Sequence, residues 1–393
     1  MTTPTPTPLL LLLLLAAARC CHGSSSSYSY QQQQQHYKMM NASSSSSQQE
    51  EEDRRPVVTA VIVFGDSIVD PGNNNDLLTL IKANHPPYGK DFFNHEATGR
   101  YSNGLIPSDL IGIKASTFHN SVLFSQPLID LHCAAQQLGV KQLLPAYLGV
   151  DLSPEDLLTG VSFASGATGF DPLTPVVVSV ISLDQQLAYF DEYRGKLVDI
   201  AGEEETARII DGALFVVCAG TDDVANTYFT TPFRSVEYDI PSYVELLVSG
   251  AEEFLRKVSS RGARKIGFVG MPPVGCVPSQ RTLGGGLARA CEPKRNEAAQ
   301  LYNARIQEMI AGLNAEAGFT TLVVFLDIYR ILDDLMERGD RYGFSETTRG
   351  CCGTGTIEVT GLCDSRFVSV CDDVSQHVFF DSYHPTERAY RII

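Results

Sequence analysis

The sequence predicts an α/β domain of three layers, with helices on both faces of a mostly parallel sheet, on two observations. Four short runs rich in β-branched and apolar residues recur along the chain without the in–out alternation of a half-exposed strand. Between successive runs lie longer stretches whose apolar residues repeat with the 3.6-residue period of a helix. Strands separated by helices require crossover connections, and those make neighbouring strands parallel and cover the sheet on both sides.

The first strand is read at Val57–Phe64 (VVTAVIVF), stopped by Gly65. Leu183, Leu187, Phe190, Leu197 and Ile200 then share one helical face, and Ala213–Ala219 (ALFVVCA) is the second strand. Tyr243, Leu247, Ala251, Phe254 and Val258 form the second stripe, with Gly262 as its stop signal. Lys265–Val269 (KIGFV) is the third strand. Ala298, Leu301, Tyr302, Met309 and Leu313 make the third stripe, closed by Gly318, and Thr320–Leu326 (TTLVVFL) is the fourth strand. In such a sheet the chemistry gathers at the carboxyl ends of the strands, which directs attention to the residues after Phe64, Ala219 and Val269.

The ends and the composition bound what surrounds this domain. The chain has 393 residues, 44% hydrophobic and 19% charged, enough apolar content for a sizeable core in one domain. Leu9–Ala18 is an unbroken apolar run followed by a small-residue exit at Ala16-Ala17-Ala18, the pattern of a secretory leader covering 1–23. Residues 24–55 are Ser/Gln-rich and hold too few apolar residues to offset the entropy of ordering them, so they read as a disordered, dispensable linker. In 1–55, Arg19, Lys38, Arg54 and Arg55 balance Glu50, Glu51, Glu52 and Asp53, so the net −16 sits wholly on 56–393. That charge disfavours nucleic acid and anionic membranes as partners. No apolar run reaches the ~18 residues of a membrane span. Asn41-Ala42-Ser43 is a glycosylation sequon usable after export.

Cysteine usage agrees with an oxidising compartment. No Cys-x-x-Cys pair occurs; Cys276 and Cys291 flank a glycine-rich loop, and Cys351, Cys352, Cys363 and Cys371 crowd one turn-rich stretch. These read as loop-closing disulfides rather than metal ligands, in a connectivity the sequence leaves open. Cys218, inside an apolar strand, reads as a buried free thiol.

The residues that carry chemistry lie at opposite ends of the domain. Ser67 follows the first strand in Gly65-Asp66-Ser67, where a turn into a helix would expose its hydroxyl beside helix N-terminal amides. A serine nucleophile needs a base for its proton and a carboxylate to hold that base in the correct tautomer. Asp381-Ser382-Tyr383-His384 supplies both, three residues apart on one turn, in a spacing found nowhere else in the chain. His85, His95 and His377 lack such partners, and Gly284-Gly285-Gly286 is not followed by the Lys-Ser/Thr of a phosphate loop.

Four blocks in order now carry a resemblance: Gly65-Asp66-Ser67, Asn103-Gly104, Gly220-Thr221-Asp222-Asp223 and Asp381–Thr386 (DSYHPT). Together with GVSFASGATGF at 160–170, MPPVGCVP at 271–278 and CCGTG at 351–355, they resemble the GDSL (SGNH) hydrolases, in particular the secreted GDSL lipase/esterases of plants, over nearly all of 56–393. The resemblance implies one SGNH-like domain that hydrolyses carboxylic esters of lipids or acylated carbohydrates through an acyl-Ser67 intermediate, without cofactor or metal. It implies Ser67 as nucleophile, His384 as general base and Asp381 as its orienting carboxylate, with the Ser67 and Gly104 amides as two arms of the oxyanion hole.

The third arm in that family is an asparagine, and here Asp222 stands in its place. A carboxylate facing an oxyanion repels it, and one lost donor costs ~10²–10³ in turnover. Three arrangements remain open: Asp222 held neutral by burial beside Asp223, Asn226 supplying the amide one helical turn later, or a weak site. Relative to the family, 113–133 is extra sequence, either a lengthened loop beside the site or a splicing artefact, and the chain stops nine residues after His384, short of a full final helix. An acyltransferase using the same triad, and a binding protein with a disabled oxyanion hole, are the competing readings.

Overall fold

The computed structural model describes residues 58–115 and 141–393, with the side chains of 112–115 excepted. The expected leader, the linker and most of 113–133 lie outside the described residues. Four strands, β1 (Val61–Gly65), β2 (Leu214–Cys218), β3 (Lys265–Val269) and β4 (Leu322–Leu326), form one parallel sheet in that spatial order. The register runs Val61↔Leu214, Leu214↔Lys265 and Lys265↔Leu322, so all four strands start level and end level. Their carboxyl ends therefore form one edge on which a site can be built.

The free edge of β1 is not bare. Val63 N–H donates to the Val161 carbonyl at 3.2 Å, and Phe163 and Ser165 donate back to Val63 and Gly65 at 2.8 Å each. Sequence patterning missed this pairing because 160–170 is a Gly/Ser/Ala-rich segment with few apolar side chains. Also missed was a short parallel pair, β5 (Glu346–Gly350) and β6 (His377–Phe379), whose first strand carries no large apolar residue.

The two faces of the sheet differ. Ile62, Phe64, Phe215, Val217, Ile266 and Phe268 point into a large core shared with three long helices, α2 (Leu183–Ala201), α3 (Ile240–Ser260) and α4 (Pro293–Ala315). Each begins with a cap that satisfies an orphan amide: Ser182 accepts from Gln185 N–H, Asp239 from Ser242 and Glu292 from Arg295. Val61, Val63, Val216, Cys218 and Val269 face the opposite side, covered in part by α1 (Pro107–Ala115). Further helices on the site side of the molecule are α5 (Tyr329–Glu337) and α6 (Glu387–Ile392). This is a mixed α/β domain with a mostly parallel sheet, consistent with the SGNH-hydrolase fold.

Two details depart from the sequence reading. Ile200 is exposed, because it falls in the last turn of α2, just before Gly202 redirects the chain with φ +82°. The fourth strand is not buried on both faces: it closes the sheet, and its first residue, Leu322, is exposed. Cys276 joins Cys291, Cys351 joins Cys371, and Cys352 joins Cys363, while Cys218 is a buried free thiol.

Candidate active site

Gly65 turns the chain at the end of β1 with φ +146°, and a Cβ there would overlap the Cys218 carbonyl oxygen of the neighbouring strand. Only glycine fits so close an approach. The Gln186 side chain clamps the same peptide, accepting from Gly65 N–H and donating to Gly65 O, both at 2.9 Å. Ser67 is thereby delivered to the end of the sheet. The chain does not enter a helix there, as the sequence suggested; it runs on through turns. What replaces a helix is a buried polar brace. Asp70 accepts from Gly72, Asn73 and Gly166 N–H at 2.7–2.9 Å, and the Asn73 amide donates to Ser162 O and Ala164 O.

The structure brings Ser67, His384 and Asp381 together across 317 residues of chain. His384 Nε2 lies 2.7 Å from Ser67 Oγ, and His384 Nδ1 lies 2.7 Å from Asp381 Oδ2. Asp381 is fully buried and its carboxylate accepts two further backbone hydrogen bonds at 2.7 Å, from the Tyr383 and His384 amides. Tyr88 completes its shell by donating its hydroxyl to Oδ2 at 2.8 Å. The His384 ring rests against Tyr101, centroid to centroid 5.0 Å. Four donors fix the carboxylate, the carboxylate fixes the imidazole, and the imidazole's other nitrogen meets the serine hydroxyl. Such a chain can take the hydroxyl proton as the oxygen attacks a carbonyl. Tyr88 and Tyr101 were missed because nothing in the sequence ties them to residues nearly 300 positions away.

Gly104 sits in a loop latched to the segment after His384. Ser102 Oγ donates to Pro385 O at 3.1 Å, Asn103 Oδ1 accepts from Glu387 N–H at 2.9 Å, and Leu105 N–H donates to Glu387 Oε2 at 2.8 Å. A buried ion pair, Arg100 to Asp109 at 2.7 Å, closes the loop from below. Among the described residues, neither the Ser67 nor the Gly104 N–H has a protein acceptor. Gly104 does not itself line the cavity in front of Ser67, whereas Asp222 does.

Asp222 and Asp223 part company. Asp223 turns away from the cavity and accepts from Phe170 and Asp171 N–H and from the Thr174 hydroxyl. Burial pushes its carboxyl up to about 8. Asp222 Oδ1 accepts from Asn226 Nδ2 at 2.7 Å, and burial pushes Asp222 up to about 6, opposed by the attraction of His384. Asp66, one residue before the serine, is raised well above the usual carboxylate range, by burial first and the Asp222 charge second. Burial raises Asp222, in keeping with one of the arrangements the sequence left open. Asp223 faces away, and the neighbouring carboxyl that the Asp222 charge raises is Asp66. Asn226 is engaged on both ends of its amide, since its Oδ1 accepts from the Tyr383 hydroxyl at 2.7 Å, which in turn accepts from Gln280 at 2.6 Å.

These raised carboxyls make stability depend on pH. Burial also pushes Asp70 up to about 6. The folded chain keeps protons on Asp70 and Asp222 up to about pH 6 and on Asp223 up to about pH 8, whereas the unfolded chain releases them near 4. Stability therefore falls as pH rises through that window, by up to about 1.4 kcal/mol per unit for each group. The thermal midpoint is expected to be higher at pH 5.5 than at pH 8; a midpoint that climbs with pH over this range would contradict it.

A cavity of about 670 Å³ opens in front of the triad. Beyond Ser67, Asp222 and His384 its walls are mainly apolar, from Val69, Leu110, Val177, Leu326, Leu332 and Tyr390 among others. Such a wall suits a hydrocarbon chain leading to a polar reacting centre.

Comparison with known proteins agrees with this arrangement. The family model for GDSL-like lipase/acylhydrolase matches residues 61–393. The chain is 45% identical to GDSL esterase/lipase EXL3 of Arabidopsis thaliana over 331 residues, which is 84% of each protein. It is 46% identical to GDSL esterase/lipase At1g20120 of the same plant, over 84% of this chain and 76% of that one. A match across the whole described domain, with identity of that order, means that the chain belongs to the GDSL-like lipase/acylhydrolase family.

Proposed function

We propose that this carboxylic ester hydrolase cleaves esters of lipids or acylated carbohydrates through an acyl-Ser67 intermediate. The unbroken hydrogen-bond chain from Ser67 through His384 to Asp381, at the head of an apolar cavity, is the observation that carries the reading. Ser67 Oγ attacks the ester carbonyl while His384 Nε2 takes its proton. His384 then protonates the departing alcohol, and a water molecule, deprotonated by the same nitrogen, releases the acid from Ser67. Asp381 holds the ring and offsets its transient charge. The Ser67 amide, without an acceptor among the described residues, receives the carbonyl oxygen as it becomes negative, the Gly104 amide of the adjoining loop adds a second donor, and Asp222 adds a third while it carries a proton.

The same reading takes 1–23 as an export leader, 24–55 as a linker and 56–393 as the hydrolase domain of an extracellular protein. Three disulfides support an oxidising destination. Among the described residues no helix is long and apolar enough to cross a membrane.

A panel of acyl esters graded from acetyl to long-chain, with lipid and sugar alcohols, assayed on the purified protein tests the proposal. Release of free acid from at least one of these ester types, lost in Ser67→Ala, is expected; binding without turnover of any ester would overturn it. Transfer of the acyl group to an added alcohol in preference to water would instead favour the acyltransferase reading.

A further inference from the structure

Several exposed large apolar side chains lie on segments that line the cavity. Ile81, Val177, Val178 and Thr231 line the cavity, and each segment that supplies them also presents apolar residues to solvent. Leu78 and Leu80 are 99% and 86% exposed, Val176 and Val236 are 69% and 78% exposed, and Phe233 is half exposed. The segments are fastened to one another. Thr79 Oγ1, between the two leucines, donates to Val178 O, and Arg234 grips Asp171 with two hydrogen bonds of 2.7 Å. This is one rim rather than scattered side chains, and exposing two neighbouring leucines almost fully to water has no folding rationale.

The rim also carries few charges. Residues 77–81 and 172–183 contain no Asp, Glu, Lys or Arg, and the Arg234 charge is more than offset by Asp171 and Glu237, with which it pairs. The remainder of the molecule carries a strong negative excess, which an anionic surface would repel. We propose that the Leu78–Leu80 and Val176–Val236 rim docks the enzyme on an uncharged lipid–water interface, from which an ester enters the cavity acyl chain first. The two surfaces are continuous, so a chain leaving the lipid phase passes from one apolar wall to the next without crossing water. The inference rests on the ester-hydrolase reading for what the cavity accepts, and narrows the substrate to aggregated apolar esters.

The test separates docking from catalysis. Ser67→Ala protein, which cannot turn over ester, is mixed with a triolein emulsion, floated, and compared with the same protein carrying Leu78→Ser and Leu80→Ser. The parent is expected to float with the emulsion and the triple variant to partition more than tenfold less, while phosphatidylglycerol vesicles retain neither. Val176→Ser, tested alone, is expected to weaken flotation in the same direction. In the active enzyme, Leu78→Ser/Leu80→Ser should lower triolein hydrolysis more than tenfold and leave kcat/KM on dissolved p-nitrophenyl acetate unchanged. Equal flotation of parent and variant, or no flotation of the parent, overturns the docking proposal even if esters are hydrolysed. Flotation lost in the variant upholds docking even if no ester is turned over, and that second failure then falls on the hydrolase reading alone. A parent that sediments as a dimer and a variant that sediments as a monomer would assign the rim to a second copy of this chain and overturn it as well.

Discussion

Ser67→Ala is expected to lower ester turnover by on the order of 10⁴- to 10⁶-fold, with the thermal midpoint almost unchanged. On the proposed mechanism the triad acts as a unit, so removing its nucleophile discards most of what the three groups do together and leaves only the oxyanion donors and substrate binding. The fold should tolerate the change. Ser67 Oγ bonds to His384 Nε2 and to no other described group, and its backbone is held by Gly65, Gln186 and the Asp70 brace rather than by the hydroxyl. Asp381→Asn is a stricter companion. The carboxylate accepts from four donors, and an amide in its place points hydrogens at hydrogens, so both the tautomer of His384 and the loop should suffer. Measured kcat with a dissolved ester decides the matter. A Ser67→Ala enzyme retaining a tenth of its activity would remove Ser67 as nucleophile.

The second large effect belongs to Asp222, and its direction depends on pH. With its carboxyl pushed up to about 6, Asp222 is mostly protonated at pH 5 and mostly charged at pH 8. Protonated, it can donate to the oxyanion; charged, it repels it. His384 must be unprotonated to act as base, so the two requirements oppose each other and turnover should be confined to a narrow band. Asp222→Asn keeps the shape and removes the charge. Asn226 Nδ2 donates to Oδ1 of the present side chain, which selects the orientation in which the new carbonyl faces Asn226 and the new amide faces the cavity. Turnover is then expected to rise by on the order of 10²-fold at pH 8, with KM little changed, and to alter little at pH 5. The alkaline limb of the profile should disappear while the acid limb stays. An unchanged alkaline limb would contradict the assignment. A silent Asp222→Asn with a damaging Asn226→Ala would transfer the role to Asn226, and two silent changes would leave the hole to the backbone amides.

What was legible in the sequence follows a physical rule. Strands β1 to β3 and the stripes of α2, α3 and α4 were readable because each buries its own apolar residues, and burial leaves a periodic trace. The pairing of Val161–Ser165 with β1, and of Glu346–Gly350 with His377–Phe379, left little, since the few side chains they bury, such as Val161 and Phe163 or Val378 and Phe379, are too few to set a period. At the site, Ser67, Asp381 and His384 stood out because triad chemistry restricts residue type and because Asp381 and His384 are close in sequence. Tyr88 and Tyr101 act on Asp381 and His384 from distant segments, and Gln280 reaches Asn226 through the Tyr383 hydroxyl, links that sequence spacing does not mark. The environment of Asp222 was also hidden. Its substitution for asparagine was visible, but the effect of its charge on Asp66 depends on how two strand ends, Gly65 and Cys218, lie side by side in the sheet.

Covalent labelling tests the central claim most directly. The purified protein, treated at pH 7 with a fluorophosphonate, should gain one phosphonyl group on the peptide containing Ser67, with parallel loss of esterase activity. Ser67→Ala should take up none, and His384→Ala should label far more slowly, because the serine would then lack its base. Failure of the native, folded protein to label, or labelling that persists undiminished in Ser67→Ala, would contradict the nucleophile assignment on which the whole account rests.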